Sequence, residues 1–202
     1  DRPKTDGPSA ESRSFARYYA SVEERLRGDG LLRTDGGGPD TPCTARDLAE
    51  NFERIALYDE YADEAGRIVA RQTESRLRRW EEPVRLQPVF GPSIDAGRRA
   101  EDRAALAAYA RRLSRASGHP VRVVGEGGNF FVYYLTEDER RGIGQDLRRR
   151  IPGISGSTVR TVTDMPRSFF CLAFAFSRGT DSAYVAAIAV IRDEHPDLLR
   201  QS

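Results

Sequence analysis

Apolar side chains that recur every three or four residues predict four helices in this chain. In the first helix, Phe15, Tyr19 and Val22 fall on one face, as residues at these spacings do. Thr44 and Thr136 each precede an acidic residue by three positions, which is the spacing of a capping box at a helix start. The first predicted helix begins at Glu11 and ends near Gly28 and Gly30, and the other three span residues 44–61, 95–117 and 136–151.

Six β-like runs separate or follow these helices, and short turn-forming segments divide them. The runs are RIVARQ, PVRLQPVFG, residues 120–124, residues 129–136, residues 168–177 and residues 182–191. The segment Gly125–Gly128 is short enough to join its two flanking runs as a hairpin. The last two runs predict an antiparallel hairpin at the centre of the sheet, and Pro88 predicts an edge strand.

This order of elements predicts an α+β fold with a mixed or mostly antiparallel sheet, and we expect the helices to cover one face. A Gly/Pro-rich loop separates the first helix from the rest of the chain. We therefore divide the chain into an N-terminal tail, helix and loop (residues 1–43) and a single α+β domain (residues 44–202) that we expect to be truncated at its C-terminus.

Charge and composition narrow the class of protein. The chain has 32 basic and 31 acidic residues, a net charge of +1, which argues against nucleic acid or an anionic membrane as a partner. No apolar run reaches the roughly 18 residues of a membrane span. The polar start at Asp1, without a methionine, is typical of a chain cleaved after export or of a trimmed chain.

Few side chains are candidates for chemistry. His119 and His195 both precede a proline, and we interpret the first as a backbone-bonding residue and the second as a helix cap. HExxH, CxxC and GxSxG motifs are absent, so we assign no catalytic and no cofactor-binding residue. His195 and Glu194 are weak metal candidates. The glycines at 125–128 lack the GK[ST] ending of a phosphate loop.

Two cysteines leave two interpretations open. Cys43 lies in the Gly/Pro-rich loop and Cys171 in an apolar run. In an oxidising compartment they could form a disulfide that stabilises the fold by about 4 kcal/mol in the chain-entropy model. Alternatively, Cys171 is a small buried apolar residue and Cys43 an unrelated surface residue.

Several segments together resemble a known family. They are LAENFERIALYDEY, VARQTESRLRRWEEPVRL, ASGHPVRVV, NFFVYYLTEDE, CLAFAFS and IRDEHPDLLRQS. These residues, between Thr44 and Ser202, resemble an exported alphaproteobacterial family called domain of unknown function 2927. In that family the terminal helix continues into a cysteine and an HEExxQ-like stretch similar to the metal-binding helix of zincin peptidases.

The resemblance implies a periplasmic or secreted bacterial protein of unknown activity on a zincin-like, metallopeptidase-type scaffold. Zinc would require a segment beyond Ser202, so we expect this chain to be catalytically incomplete. A third cysteine in relatives would be a competing partner for Cys43 or Cys171.

Two other functions remain open from the sequence. One is a non-catalytic envelope module that binds a peptide or protein at a sheet edge, motivated by Pro88 and the predicted hairpins. The other is a small-molecule binder with an apolar pocket lined by Phe130, Tyr133 or Phe174. The sequence leaves the oligomeric state open.

Overall fold

The protein is described by a computed structural model over residues 8–31, 44–65, 67–179 and 181–196. In these residues the helices are α1 (Ala10–Gly28), α2 (Ala45–Ala56), α3 (Ala96–Ser117), α4 (Glu137–Gly142), α5 (Gly144–Arg150) and α6 (Gly156–Thr163). The strands are β1 (Tyr58–Glu64), β2 (Arg67–Glu74), β3 (Arg79–Trp80), β4 (Val84–Phe90), β5 (Val121–Val123), β6 (Phe130–Leu135), β7 (Cys171–Ser177) and β8 (Ala183–Arg192). Cys43 and the terminal segment 197–202 lie outside the described residues.

The main sheet has the spatial order β5-β4-β6-β8-β7. Ile188 of β8 pairs with Phe131 of β6 and with Phe174 of β7, so these two strands flank β8 on opposite sides. The two-residue β3 pairs with the beginning of β8. All pairings in this sheet are parallel except that of β7 with β8. The α+β fold with a mixed sheet is confirmed, but the pairings are mostly parallel, not mostly antiparallel.

The predicted hairpin between residues 120–124 and 129–136 is wrong. Both strands pair in parallel with β4, one on each side, and the glycine-rich segment crosses over β4 at the level of Leu86. A Cβ on Gly128 would lie 2.4 Å from the Cβ of Gln87, so this crossing requires glycine. The glycines therefore permit a close crossover.

Pro88 does not place β4 at an edge, because β5 and β6 lie on either side of it. The N–H of Val84 donates to Pro120 O and that of Gly91 to Tyr134 O. Even-numbered residues of β4 therefore direct their backbone groups toward the β5 side. Since β5 pairs only with residues 84–86, Pro88 lies beyond its end and its missing N–H breaks no ladder bond.

The core occupies both faces of the sheet, which corrects the expectation that helices cover one face. On one face, fully buried Leu147 of α5 and Val162 of α6 belong to a cluster with Tyr133 and Ile188. On the other face, Ala110 of α3 packs in a cluster with Val84 and Leu86. The fold is thus a sheet between two helical layers.

The helices differ from the prediction in three respects. The second predicted helix ends at Ala56, and residues 58–64 form β1, which pairs with β2 in a separate antiparallel hairpin. The predicted 136–151 helix divides into α4 and α5 around Ile143. Helix α6 was not predicted. Helix α3 is confirmed, with Asp95 as its N-cap and Gly118 in the left-handed conformation at its end.

Candidate functional site

Strand β7 is an outer strand of the main sheet, and in the described residues β8 is its only paired neighbour. It is seven residues long, CLAFAFS, with no charged residue and no proline. At the opposite side of the sheet, β5 has three residues and packs against α3. Natural edge strands are usually short, charged or covered, and nothing within residues 8–31, 44–65, 67–179 and 181–196 pairs with the outer side of β7.

The direction in which the backbone N–H and C=O groups of β7 point follows from the pairing of its neighbour, β8. The N–H of Ala187 donates to Asn129 O and that of Asp193 to Leu135 O, so odd-numbered residues of β8 face β6. The even-numbered residues, including Ile188, face β7 and make the ladder bonds with it. In the antiparallel register, Ile188 is opposite Phe174.

The outward backbone groups therefore belong to the alternate residues of β7. These are Cys171, Ala173 and Ala175, whose N–H and C=O groups point away from β8. No hydrogen bond within the described residues reaches them. An extended segment placed beside β7 would find a row of donors and acceptors.

Side chains along β7 alternate by size as well as by face. Leu172 is buried, and Phe174 and Phe176 pack at the rim of the core beside it. Cys171, Ala173 and Ala175 are exposed on the opposite face. Small side chains there leave space for a neighbouring strand, while the phenylalanines extend an apolar row toward it. The edge is suited to recognition through the main chain.

The two predicted metal candidates lie elsewhere, under α1. His195 is 3% exposed and its ring contacts Tyr19 edge-on, with 4.2 Å between centroids. Glu194 accepts hydrogen bonds from the Ser12 hydroxyl and, at 2.6 Å, from the Glu137 N–H. Both residues therefore hold α1 against the segment that follows β8, and their metal role stays a prediction.

A buried ionic cluster lies directly beneath these residues. Glu137 is 1% exposed and accepts from Arg140 Nη2 at 2.6 Å and from Arg192 Nη1. Arg192 is fully buried and also donates to Met165 O at 2.6 Å. Arg141 bridges Glu137 to Glu11 of α1. This cluster joins α1, α4 and β8.

Burial shifts two titratable groups next to the cluster. Desolvation raises the pKa of Glu194 above its ordinary value, because hydrogen bonds to Ser12 and Glu137 only partly compensate. Desolvation also raises the pKa of Tyr19 to about 12, so this hydroxyl stays protonated and donates to Arg167 O at 2.9 Å. Both shifts are those of groups enclosed in the protein.

Among the described residues there is no group of three or more His, Cys, Asp or Glu side chains placed to hold a metal. Cys171 is exposed, so the interpretation of it as a buried apolar residue is wrong. Its pairing with Cys43 stays a prediction because Cys43 lies outside the described residues. His119 makes a contact of 3.0 Å from Nε2 to Glu82 O, in agreement with its predicted backbone role.

One cleft of about 370 Å³ lies at the carboxyl ends of β4 and β6. Tyr133 lines it, as the small-molecule hypothesis requires, but its hydroxyl donates to Asp146 at 2.8 Å. Asp146 is also bound by Arg149 and Arg150. The polar groups of this corner satisfy one another and leave little to orient a ligand.

The part of the chain that the structure describes is an α+β protein in which β7 has an open outer edge and helix α1 is held by a buried ionic cluster. A family model matches residues 45–202, and this chain belongs to that family, described as a protein of unknown function (DUF2927). Comparison with curated proteins and with solved structures gives no match. In the part of the chain that the structure describes, no helix is both long and apolar enough to cross a membrane.

Sequence reasoning found the β7–β8 hairpin but assigned it to the centre of the sheet. The alternation of large and small side chains in CLAFAFS indicates a strand covered on one face, which fits β7, but it does not distinguish an edge from a central position. The run AYVAAIAVI, which forms most of β8, lacks that alternation, as expected for a strand buried on both faces. The contact between Glu137 and Arg192 had no comparable signal, since these two residues lie 55 positions apart.

Proposed function

We propose that this protein binds an extended peptide or protein segment by strand addition along β7. The observation that supports the proposal is the outer edge of β7, with outward backbone groups at Ala173 and Ala175 and no charge along its length. Each main-chain hydrogen bond to such an edge contributes about 0.5–1.5 kcal/mol net. The proposed location is the periplasm or the exterior of a bacterial cell, on the strength of the family resemblance.

The preferred ligand is an uncharged, alternating peptide. Phe174 and Phe176 are only partly buried, so apolar ligand side chains on that face would extend their row. On the other face, the exposed alanines accept larger ligand residues without a clash. An antiparallel or parallel ligand would satisfy the same outward groups.

A proline substitution at an outward-facing position of β7 tests the proposal. The probe is a fluorescein-labelled peptide of alternating valine and threonine, seven residues long and flanked by lysines. Ala173→Pro removes an outward N–H but no bond to β8, so we expect at least tenfold weaker binding with the fold retained. Ala173→Val is the matched control, because it keeps the N–H and favours a strand.

The readouts are fluorescence anisotropy and amide chemical-shift changes. We expect the shifts to concentrate at residues 171–177, and we expect a probe with every amide N-methylated to lose binding. Equal affinity for Ala173→Pro and the unchanged protein would refute the edge as the binding site. So would shifts confined to another surface, or the absence of binding at millimolar peptide.

A metallopeptidase is the second candidate function, and one feature favours it. A peptide on β7 would lie one strand away from β8, whose continuation at Asp193–Pro196 belongs to the terminal motif of the resemblance. In that case β7 would position the substrate, and the zinc ligands would come from residues following Ser202 in relatives. Zinc content of the protein purified from its natural source, measured by mass spectrometry, tests this candidate, and a metal-free protein that cleaves no peptide would remove it.

A further inference from the structure

The connection that leads into β7 is held in place through its backbone carbonyl groups. It comprises residues 165–170, which follow α6 and belong to no helix or strand. Arg192 of β8, which is fully buried, holds the first part of it, since Nη2 donates to Met165 O at 2.6 Å and to Pro166 O at 2.9 Å. The chain just before the proposed binding edge is therefore anchored to β8.

Helix α1 holds the second part of this connection. The hydroxyl of Tyr19, a fully buried residue, donates to Arg167 O at 2.9 Å, and its ring centroid lies 5.7 Å from that of Phe170. Phe170 directly precedes β7. The guanidinium carbon of Arg192 lies 4.9 Å from the ring centroid of Phe15. Helix α1 thus contacts both the connection and the arginine that anchors it.

The attachment of α1 to the rest of the fold is limited in extent. Three of its 19 residues are buried, namely Ser12, Tyr19 and Val22. Elements with few buried contacts separate from a fold at a lower free energy than global unfolding requires. We therefore expect α1 to have a docked state and an undocked state while the sheet stays folded, with Tyr19 as its main anchor.

We propose that α1 is a positioning element for the β7 edge and that its docking is coupled to peptide binding there. With α1 docked, the residues before β7 are ordered before a peptide arrives, so binding costs less conformational entropy. Linkage requires the reverse as well, because a bound peptide must then favour the docked helix by the same factor. This coupling rests on the proposed function, whereas the effect of α1 on β7 itself is measurable without a peptide.

Amide hydrogen exchange, measured by NMR without peptide, tests the effect of α1 on β7. The N–H groups of Leu172 and Phe174 face β8, so their exchange reports the opening of β7. Tyr19→Ala should accelerate their exchange about tenfold and leave Val132 of β6 unchanged, because only the connection is released. Arg17→Ala is the matched control, since Arg17 is exposed on the same helix, and it should change neither strand.

A milder variant and the peptide complete the test. Tyr19→Phe keeps the ring contact with Phe170 but removes the bond to Arg167 O, so it should give a smaller acceleration at the same two amides of β7. Tyr19→Ala should weaken binding of the valine–threonine probe about fivefold. Saturating probe should slow exchange of the Val22 amide in the unchanged chain by a similar factor.

Unaltered exchange at Leu172 and Phe174 in a folded Tyr19→Ala chain would overturn the proposal. An equal acceleration in β6 and β7 would do the same, because it would mean a general loss of stability. Should Tyr19→Ala fail to fold, Tyr19→Phe decides the question by the same comparison of strands. A chain that binds no probe removes the proposed function and the coupling to it, while the exchange comparison still decides whether α1 positions β7.

Discussion

Replacing Glu137 with glutamine tests whether the buried ionic cluster stabilises the fold. Glu137 is 1% exposed and bonds to the two most deeply buried guanidinium groups, those of Arg140 and Arg192. Glutamine keeps the shape of the side chain but removes the charge. Its amide NH2 group is a donor, and it would face guanidinium groups that are also donors and cannot accept a hydrogen bond.

The magnitude follows from what the substitution leaves behind. Removing one partner of a buried ion pair costs about 3–5 kcal/mol, because the remaining charge stays buried without compensation. Here two arginines are affected, although the carbonyl oxygens of Met165 and Val162 still accept from them. We therefore expect a loss of about 4 kcal/mol, a large part of the 5–15 kcal/mol typical of a whole domain.

Urea unfolding, monitored by circular dichroism and by Trp80 fluorescence, measures the loss. With a slope of about 2 kcal/mol per molar urea, the midpoint should fall by about 2 M. Glu64→Gln is the control, since its pair with Arg71 is about half exposed on both sides and should change stability by less than about 0.5 kcal/mol. A loss below about 1 kcal/mol for Glu137→Gln would refute the assignment of a stabilising role to the cluster.

Three further substitutions have defined outcomes. The pKa of Glu194 is raised, so the folded state binds the proton of this carboxyl more tightly than the unfolded chain does. The protonated carboxyl therefore contributes stability below the unfolded pKa near 4.5, and this contribution is lost as pH rises through the folded pKa. Melting temperatures of Glu194→Gln and the unchanged protein should therefore agree at low pH and diverge in favour of the variant at higher pH; parallel curves would contradict this. Thr136→Ala removes the capping bond to the Glu139 N–H and should cost about 1 kcal/mol in urea unfolding, and no loss would argue against the cap. Leu147→Ala empties a fully buried position and should cost about 2–5 kcal/mol, whereas a loss below 1 kcal/mol would mean that the site collapses.

Local patterns predicted a helix closely where both of its ends carried a clear signal. Helix α3 follows its pattern closely because Asp95 begins it and Gly118 ends it. Helix α6 was missed because its glycine, serine and threonine content indicates a loop. Tertiary burial of Val159 and Val162 and the Ser155 cap stabilise it instead.

Local sequence patterns did not predict which strands pair with each other. The apolar runs that became β5 and β6 look alike whether they pair with each other or with β4, because side-chain alternation specifies a face and not a neighbour. The choice depends on Gly128 permitting a close crossing and on Asn129, whose side chain accepts from the Arg85 N–H at 2.7 Å. Those contacts join residues more than 40 positions apart, as the Glu137–Arg192 pair does over 55.

The bond between Ser12 and Glu194 spans 182 positions, which has a consequence for the order of assembly during synthesis. Helix α1 is made first, yet Tyr19 packs against Phe170 and His195, which are translated near the end of the described residues. Docking of α1 is therefore expected as a late step, with its aromatic face available to chaperones until then.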